Sequence, residues 1–273
     1  MEIPVDPIPS ENKPKDKRLA KLNKALPKLP TTCCILGRVG TGKSSCLYSL
    51  LTKKLGYVVN GKSVFDEMVC FLGNMESDHA FESIPCKNIA ILHEYSNEAL
   101  DHYLEDLRAH QLERLEKKKA PLNACIIFDD MATQDLLKKR NGKSPLASLV
   151  LTSRHELNAS IFFLSQVFKS AGFTNPTIRN NVVTWIVYNM SKPEMEKIAE
   201  DHCQDFEPKD LIEQYEKAME KPHNFIVIDY RRPLNQRITE RFTKVMRPKG
   251  KSISQVDATE EERNDSRDGS DDE

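Results

Sequence analysis

Long apolar runs are missing from this 273-residue chain. None approaches the roughly 20 residues that span a bilayer, so no membrane-spanning segment is expected. The opening residues, MEIPVDPIPS, also lack the charged-then-apolar pattern of a secretory leader. Charge of a single sign is missing too: 40 Lys and Arg stand against 41 Asp and Glu, leaving a formal net charge of −1. That excludes a uniformly basic coat for nucleic acid, so any such attraction must come from a local patch. The seven cysteines contain no CxxC pair, and several lie inside apolar, strand-like runs. They read as buried free thiols rather than metal or redox groups, which fits a soluble protein of a reducing compartment.

What is present is enough apolar residue, 39%, for one sizeable core. Residues 1–30 are rich in proline and lysine and read as an extended basic arm. Residues 248–273 are acidic, almost free of apolar side chains, and read as a disordered tail. Between them, residues 31–247 alternate short apolar runs with helical patterns. Strands are expected at 31–36, within 64–72, and at 88–92, 124–128, 159–165, 182–188 and 224–230, the last of these closing the sheet. Helices are expected at 44–54, 96–119, 132–140, 146–156, 193–202 and 208–221. In 96–119 the apolar positions are Leu100, Leu104, Leu107, Leu112 and Leu115. Continuous apolar strands alternating with helices predict an α/β fold, a mostly parallel central sheet with helices on both faces.

Chemistry enters at GRVGTGKS, which fits G-x-x-x-x-G-K-[ST] and sits between an apolar strand and a helix. The stretch Gly37, Arg38, Val39, Gly40, Thr41, Gly42, Lys43, Ser44 and Ser45 is therefore the candidate nucleotide-binding loop. Small residues let the backbone wrap a phosphate chain with its N–H groups, and the following helix adds its positive end. Lys43 is expected on the β- and γ-phosphates and Ser44 on Mg²⁺. ACIIFDD places two acids at the end of a strand. Asp129 is the second candidate for holding Mg²⁺, and Asp130 for polarising an attacking water. The strand SIFFLSQ ends in Ser165 and Gln166. Since ligands of such sheets lie beyond the carboxyl ends of the strands, Gln166 is a candidate sensor of the γ-phosphate. Arg154 is the candidate for a cation supplied by a neighbouring subunit, with Arg140 and Arg179 as alternatives; His155 reads as structural.

No N-K-x-D guanine-reading motif occurs, which argues against a GTPase, and RNGK at 140–143 makes a poor kinase lid. ATP with Mg²⁺ is the expected ligand pair. Candidate basic surfaces for a polyanion are Lys117, Lys118 and Lys119, the stretch 138–143, and Arg231 with Arg232, although charge runs are commonly just solvated surface.

The order GRVGTGKS, IIFDD, TSRHELNASIFFLSQ, TIRNNVVTWIVY resembles the viral DNA-packaging ATPases of the poxvirus type, in the FtsK/HerA branch of P-loop ATPases found in large DNA viruses, virophages and virus-like transposons. The likeness covers about residues 31–230, and its most specific part is the block from Arg154 and His155 to Arg179 and Asn180. It implies a RecA/FtsK-like fold and a homo-oligomeric ring, pentamer or hexamer. It also implies ATP-driven threading of double-stranded DNA into a capsid, contact with a capsid or vertex protein, and a location in the infected host cell. By residue it matches Lys43 and Ser44 to the phosphate loop, Asp129 and Asp130 to the acidic motif, Gln166 to the sensor and Arg154 to a family arginine. The family pattern mostly carries Glu where this chain has Asp130. The alternatives are a helicase-like or DNA-segregating ATPase of the same branch and a slow ATP-dependent assembly switch.

Overall fold

The computed structural model describes residues 16–73, 78–129, 144–168, 176–202 and 206–247. Among them runs one nine-stranded sheet. Its centre is β1 (Thr32–Leu36), flanked by β7 (Ala159–Ser165) on one side and β8 (Thr184–Val187) on the other. Beyond β7 lie β6 (Ala124–Asp129), β4 (Glu67–Leu72) and β5 (Asn88–Leu92), and all pairs from β8 to β5 are parallel. Beyond β8 the sheet turns antiparallel through β9 (Ile226–Asp229), β10 (Ile238–Glu240) and β11 (Lys244–Val245). A separate two-stranded ladder joins β2 (Val58–Val59) to β3 (Lys62–Ser63).

The apolar runs sort residue by residue between the two faces, because successive strand side chains point to opposite sides. On one face Cys34, Leu36, Ile126, Phe128, Ile161, Phe163 and Trp185 pack under α3 (Asn97–Glu116), α4 (Pro145–Thr152), α5 (Pro176–Asn181), α6 (Lys192–His202) and α7 (Pro208–Met219). On the other, Cys33, Ile35, Cys125, Ile127, Phe162 and Ile186 pack under α1 (Lys43–Thr52), α2 (Asp78–Glu82) and residues from the N-terminal segment. The mostly parallel sheet with helices on both faces is therefore the architecture of this chain.

Local chemistry sets the helix starts. Ser96 caps α3 by accepting from Ala99 N, and Ser144 caps α4 by accepting from Ala147 N, with Pro145 in the first turn. Leu100, Leu104 and Leu107 of α3 are buried, but Leu112 and Leu115 are 57% and 55% exposed. Twenty helical residues extend about 30 Å, whereas a strand of six reaches only about 20 Å, so the end of α3 overhangs the sheet.

Two expectations need correction. The strand at 224–230 does not close the sheet: β10 and β11 follow it, each too short for its periodicity to register in the sequence. Residues 176–181 form a helix, α5, that the sequence pattern did not assign. The helix expected at 132–140 and the acidic tail at 248–273 lie outside the described residues. Residues 16–30 carry little regular structure yet dock on the domain, with Leu26 and Leu29 buried.

Candidate nucleotide site

Because β1, β7 and β6 are parallel neighbours in the order β1-β7-β6, their carboxyl ends emerge along one edge. The loop after β1 opens with buried Gly37, whose N–H donates to Ser165 O at 3.1 Å, while Arg38 N donates to Asn189 O at 3.3 Å. A Cβ on Gly37 would lie 2.5 Å from Thr41 Oγ1 and 2.7 Å from Tyr188 Cβ, so close approach demands glycine here. Gly42, at φ +102°, stands as N-cap of α1 in the left-handed region. No side chain caps this helix and no acid occupies its first turn. The uncapped N–H groups and the positive end of the helix dipole thus face the loop, the arrangement that binds an anion. Lys43 Nζ folds back to donate to Gly37 O at 2.8 Å and Arg38 O at 3.1 Å. Thr41 Oγ1 donates to Arg38 O at 2.8 Å, Val39 is 78% exposed, and Gly40 and Ser45 are exposed.

Asp129 ends β6, two strands from β1, and is buried. The Ser44 hydroxyl donates to Asp129 Oδ2 at 3.1 Å, joining the loop to the acid. These two oxygens suit a hard cation. Mg²⁺ takes one or two protein oxygens and completes its octahedron with water and substrate phosphate. That donor set fits, and among the described residues no group of three or more His, Cys, Asp or Glu forms an all-protein metal cage. Gln166 follows β7 half-buried, next to Ser165, whose carbonyl holds Gly37. Asp130, and Arg140 with the stretch 138–143, lie outside the described residues.

The candidate arginines lie elsewhere. Arg154 lies in the turn between α4 and β7, at the amino end of β7, across the sheet from the loop. Arg179 pairs with Asp201 at 3.0 Å. Arg231 and Arg232 are not a free basic patch. Arg231 donates to Lys28 O and, at 2.5 Å, to Pro30 O, and Arg232 donates to Ala25 O, so both clamp the N-terminal segment. Burial, followed by the nearby Arg154 charge, pulls the Arg231 guanidinium below its usual range. Lys117, Lys118 and Lys119 are exposed at the overhanging end of α3, with Lys117 paired to Glu113.

The six described cysteines are all free thiols. Burial pushes Cys33, Cys34 and Cys125 well up, Cys70 to about 12 and Cys46 to about 11, which leaves them protonated and unreactive. One neighbour of the loop escaped the sequence reading: His223, whose Nδ1 lies 3.4 Å from Thr41 O. It sits 182 positions away in the chain, and no motif marks it.

The family described as Poxvirus A32 protein matches residues 20–229. Among solved structures, the chain is similar to the genome packaging NTPase B204 from Sulfolobus turreted icosahedral virus 2 in complex with ATP-gammaS. That match has 13% identity over 81% of this chain and 98% of that one, at a TM-score of 0.47. It is similar to EssC from Geobacillus thermodenitrificans, at 14% identity over 73% and 38% of the two chains and a TM-score of 0.49. The Type VII secretion ATPase EccC of Thermomonospora curvata follows at 13% identity over 82% and 24%, with a TM-score of 0.45. The curated proteins contain no match.

Proposed function

This chain belongs to the poxvirus A32 protein family and is a P-loop ATPase, and we propose that it is the motor that uses ATP to drive double-stranded viral DNA into a capsid. The observation that supports this best is the Ser44–Asp129 hydrogen bond at the mouth of an uncapped helix N-terminus. It joins a phosphate cradle to an acid borne on a separate strand, as nucleotide hydrolysis requires.

The reaction follows from the residues. Backbone N–H groups of Gly37 to Ser44 hold the phosphates. Lys43 exchanges the Gly37 and Arg38 carbonyls for β- and γ-phosphate oxygens, a swap of neutral acceptors for charged ones that strengthens its hydrogen bonds. Ser44 and Asp129 would hold Mg²⁺, which supplies neutralising charge to the phosphates. Gln166 orients the attacking water against the γ-phosphate. Asp130, next in sequence to Asp129, takes that water's proton as the bond from the γ-phosphorus to the bridging oxygen breaks. Arg154, too far from its own loop, serves the nucleotide of a neighbouring subunit in a ring, with residues 31–247 as the motor domain. Lys117, Lys118 and Lys119 remain as a described basic surface for the DNA backbone.

The test is ATP turnover with and without double-stranded DNA, in the wild type and in Lys43→Ala. Strong stimulation by duplex DNA, abolished with all turnover by the substitution, is expected. Flat, slow turnover would identify an assembly switch instead, and strand separation a helicase. Turnover that survived Lys43→Ala would overturn the assignment of the loop.

A further inference from the structure

The turn that follows β7 brings Gln166 and Val167 towards the surface between buried Ser165 and buried Phe168. It is fastened on both sides. Ser165 Oγ donates to Val167 O at 2.9 Å and accepts from Val167 N at 3.3 Å. The Ser165 carbonyl accepts from Gly37 N, so this strand end leans on the phosphate loop. On the far side Phe168 N donates to Glu194 Oε2 at 2.8 Å, 26 positions along the chain. The Phe168 ring packs edge-on against Trp185 at 5.3 Å and His202 at 5.7 Å.

Glu194 and His202 both belong to α6, so one helix holds Phe168 by its backbone and by its ring. Glu194 stands in the first turn of that helix, and its side chain is only 15% exposed. Its Oε1 accepts from Lys197 Nζ at 2.8 Å, and its Oε2 takes the Phe168 N–H. A charged acceptor makes a stronger hydrogen bond than a neutral one. The connection from β8 to α6 is bonded to the phosphate loop as well, because Asn189 O accepts from Arg38 N at 3.3 Å. Tyr215 Oη of α7 steadies that connection: it accepts from Met190 N at 2.8 Å and donates to Tyr188 O at 2.9 Å. Strands β7, β1 and β8 are neighbours in that order. The bonds therefore close a circuit across their carboxyl ends, from Gly37 to Ser165, through the turn to Phe168, on to Glu194, and from Asn189 back to Arg38. Gln166 lies on the β7 arm of this circuit.

We propose that Glu194 is a positioning residue for Gln166: by holding Phe168 N, it fixes the turn that presents the Gln166 side chain to the γ-phosphate. This rests on the reading of Gln166 as the group that orients the attacking water, and it adds the side chain that keeps Gln166 in place. Glu194 itself touches no substrate.

An acid in a first helical turn also steadies the helix dipole, so the experiment separates reach from charge. It measures kcat and KM for ATP, and the affinity for a non-hydrolysable ATP analogue, in the full chain carrying Glu194→Gln, Glu194→Asp or Glu194→Ala. Glutamine keeps an accepting oxygen at the same reach without the charge. Aspartate keeps the charge and withdraws it by one methylene. A displacement of about 1 Å at a reacting group costs up to about a hundredfold in rate. Glu194→Asp and Glu194→Ala should lower kcat roughly tenfold or more with KM and analogue affinity unchanged, and Glu194→Gln should keep most of the rate. The reverse order, with aspartate active and glutamine slow, would assign Glu194 to the helix dipole and overturn the proposal. Adding Glu194→Ala to Gln166→Ala should slow the enzyme no further, because residues that act as a unit are non-additive; losses that multiply overturn it too. If Glu194→Ala fails to fold, Glu194→Asp decides alone. Wild-type turnover in Gln166→Ala would bring down the reading of Gln166, and this role with it. Slow turnover in Gln166→Ala beside an unimpaired Glu194→Asp would bring down the positioning role alone.

Discussion

The hydroxyl of Ser44, in the first turn of α1, donates to Asp129 Oδ2 at 3.1 Å across 85 positions of sequence. The bond pre-positions two oxygens that a Mg²⁺–nucleotide would share. Asp129→Asn keeps the shape and removes the charge. The expected outcome is a fall in turnover of roughly a hundredfold or more, comparable to losing one preorganised electrostatic contact. ATP binding measured in excess EDTA should change little. Isothermal titration with and without Mg²⁺ checks it; equal loss under both conditions would show Asp129 to be merely structural.

Gly37→Ala places a methyl 2.5 Å from Thr41 Oγ1 and 2.7 Å from Tyr188 Cβ. Thr41 is itself bonded to Arg38 O, and a Cβ cannot rotate away, so the loop must shift. Overpacking of this kind costs about 1–3 kcal/mol. Lower thermal stability together with weakened tripolyphosphate binding is expected. Gly61→Ala is the contrasting case, where nothing lies within 4 Å of the added Cβ and the cost comes from φ +74°, a strain that Gly37 does not carry.

His202 is buried, its Nδ1 lies 2.5 Å from the Tyr230 hydroxyl, and its ring packs on Trp185 at 4.9 Å. Burial, followed by the charge of Arg179, holds its pKa down at about 3 against an ordinary 6.5. The unfolded chain therefore takes up a proton below pH 6.5 that the folded one refuses. This contribution to stability is complete above pH 6.5 and is lost as pH falls towards 3, with a slope of up to about 1.4 kcal/mol per pH unit. Urea unfolding of the wild type and His202→Phe across that range should give curves that converge on acidification. Parallel curves would show that His202 does not titrate on unfolding.

Arg154 stands at the amino end of β7, across the sheet from its own phosphate loop, and is proposed to serve the loop of a neighbouring subunit. Arg154→Ala should bind ATP normally and hydrolyse it roughly a thousandfold more slowly, the scale of a missing trans arginine. Mixing Arg154→Ala with Lys43→Ala subunits should restore part of the turnover, since some interfaces regain one intact loop and one intact arginine. No restoration in mixed rings would exclude action between subunits.

Wherever function depends on contiguous residues, the chain declares itself without its structure. Gly37 to Ser44 lie together in sequence, and their spacing already states that a backbone wraps a phosphate. The central strands β1, β6, β7 and β8 were legible because each is a short, fully buried run of mostly apolar residues. Asp129 was legible as the polar end of such a run.

Tertiary structure alone decided which ends meet. The register and order of the strands, with β7 between β1 and β6, bring Asp129 to Ser44. That order depends on packing two faces at once, which no local period encodes. It also decided the fate of the charges. Arg231 and Arg232 read as a basic patch, yet they bond the carbonyls of an N-terminal segment some two hundred positions distant. The edge of the sheet likewise waits on β10 and β11, two strands too short to show a pattern, which extend it beyond β9. Local sequence determined the chemistry of the phosphate loop, because a hydrogen-bonding backbone needs only its own residues. The Ser44–Asp129 bond and the Arg231–Arg232 clamp required the folded sheet, because each joins groups that only long-range packing brings within bonding distance.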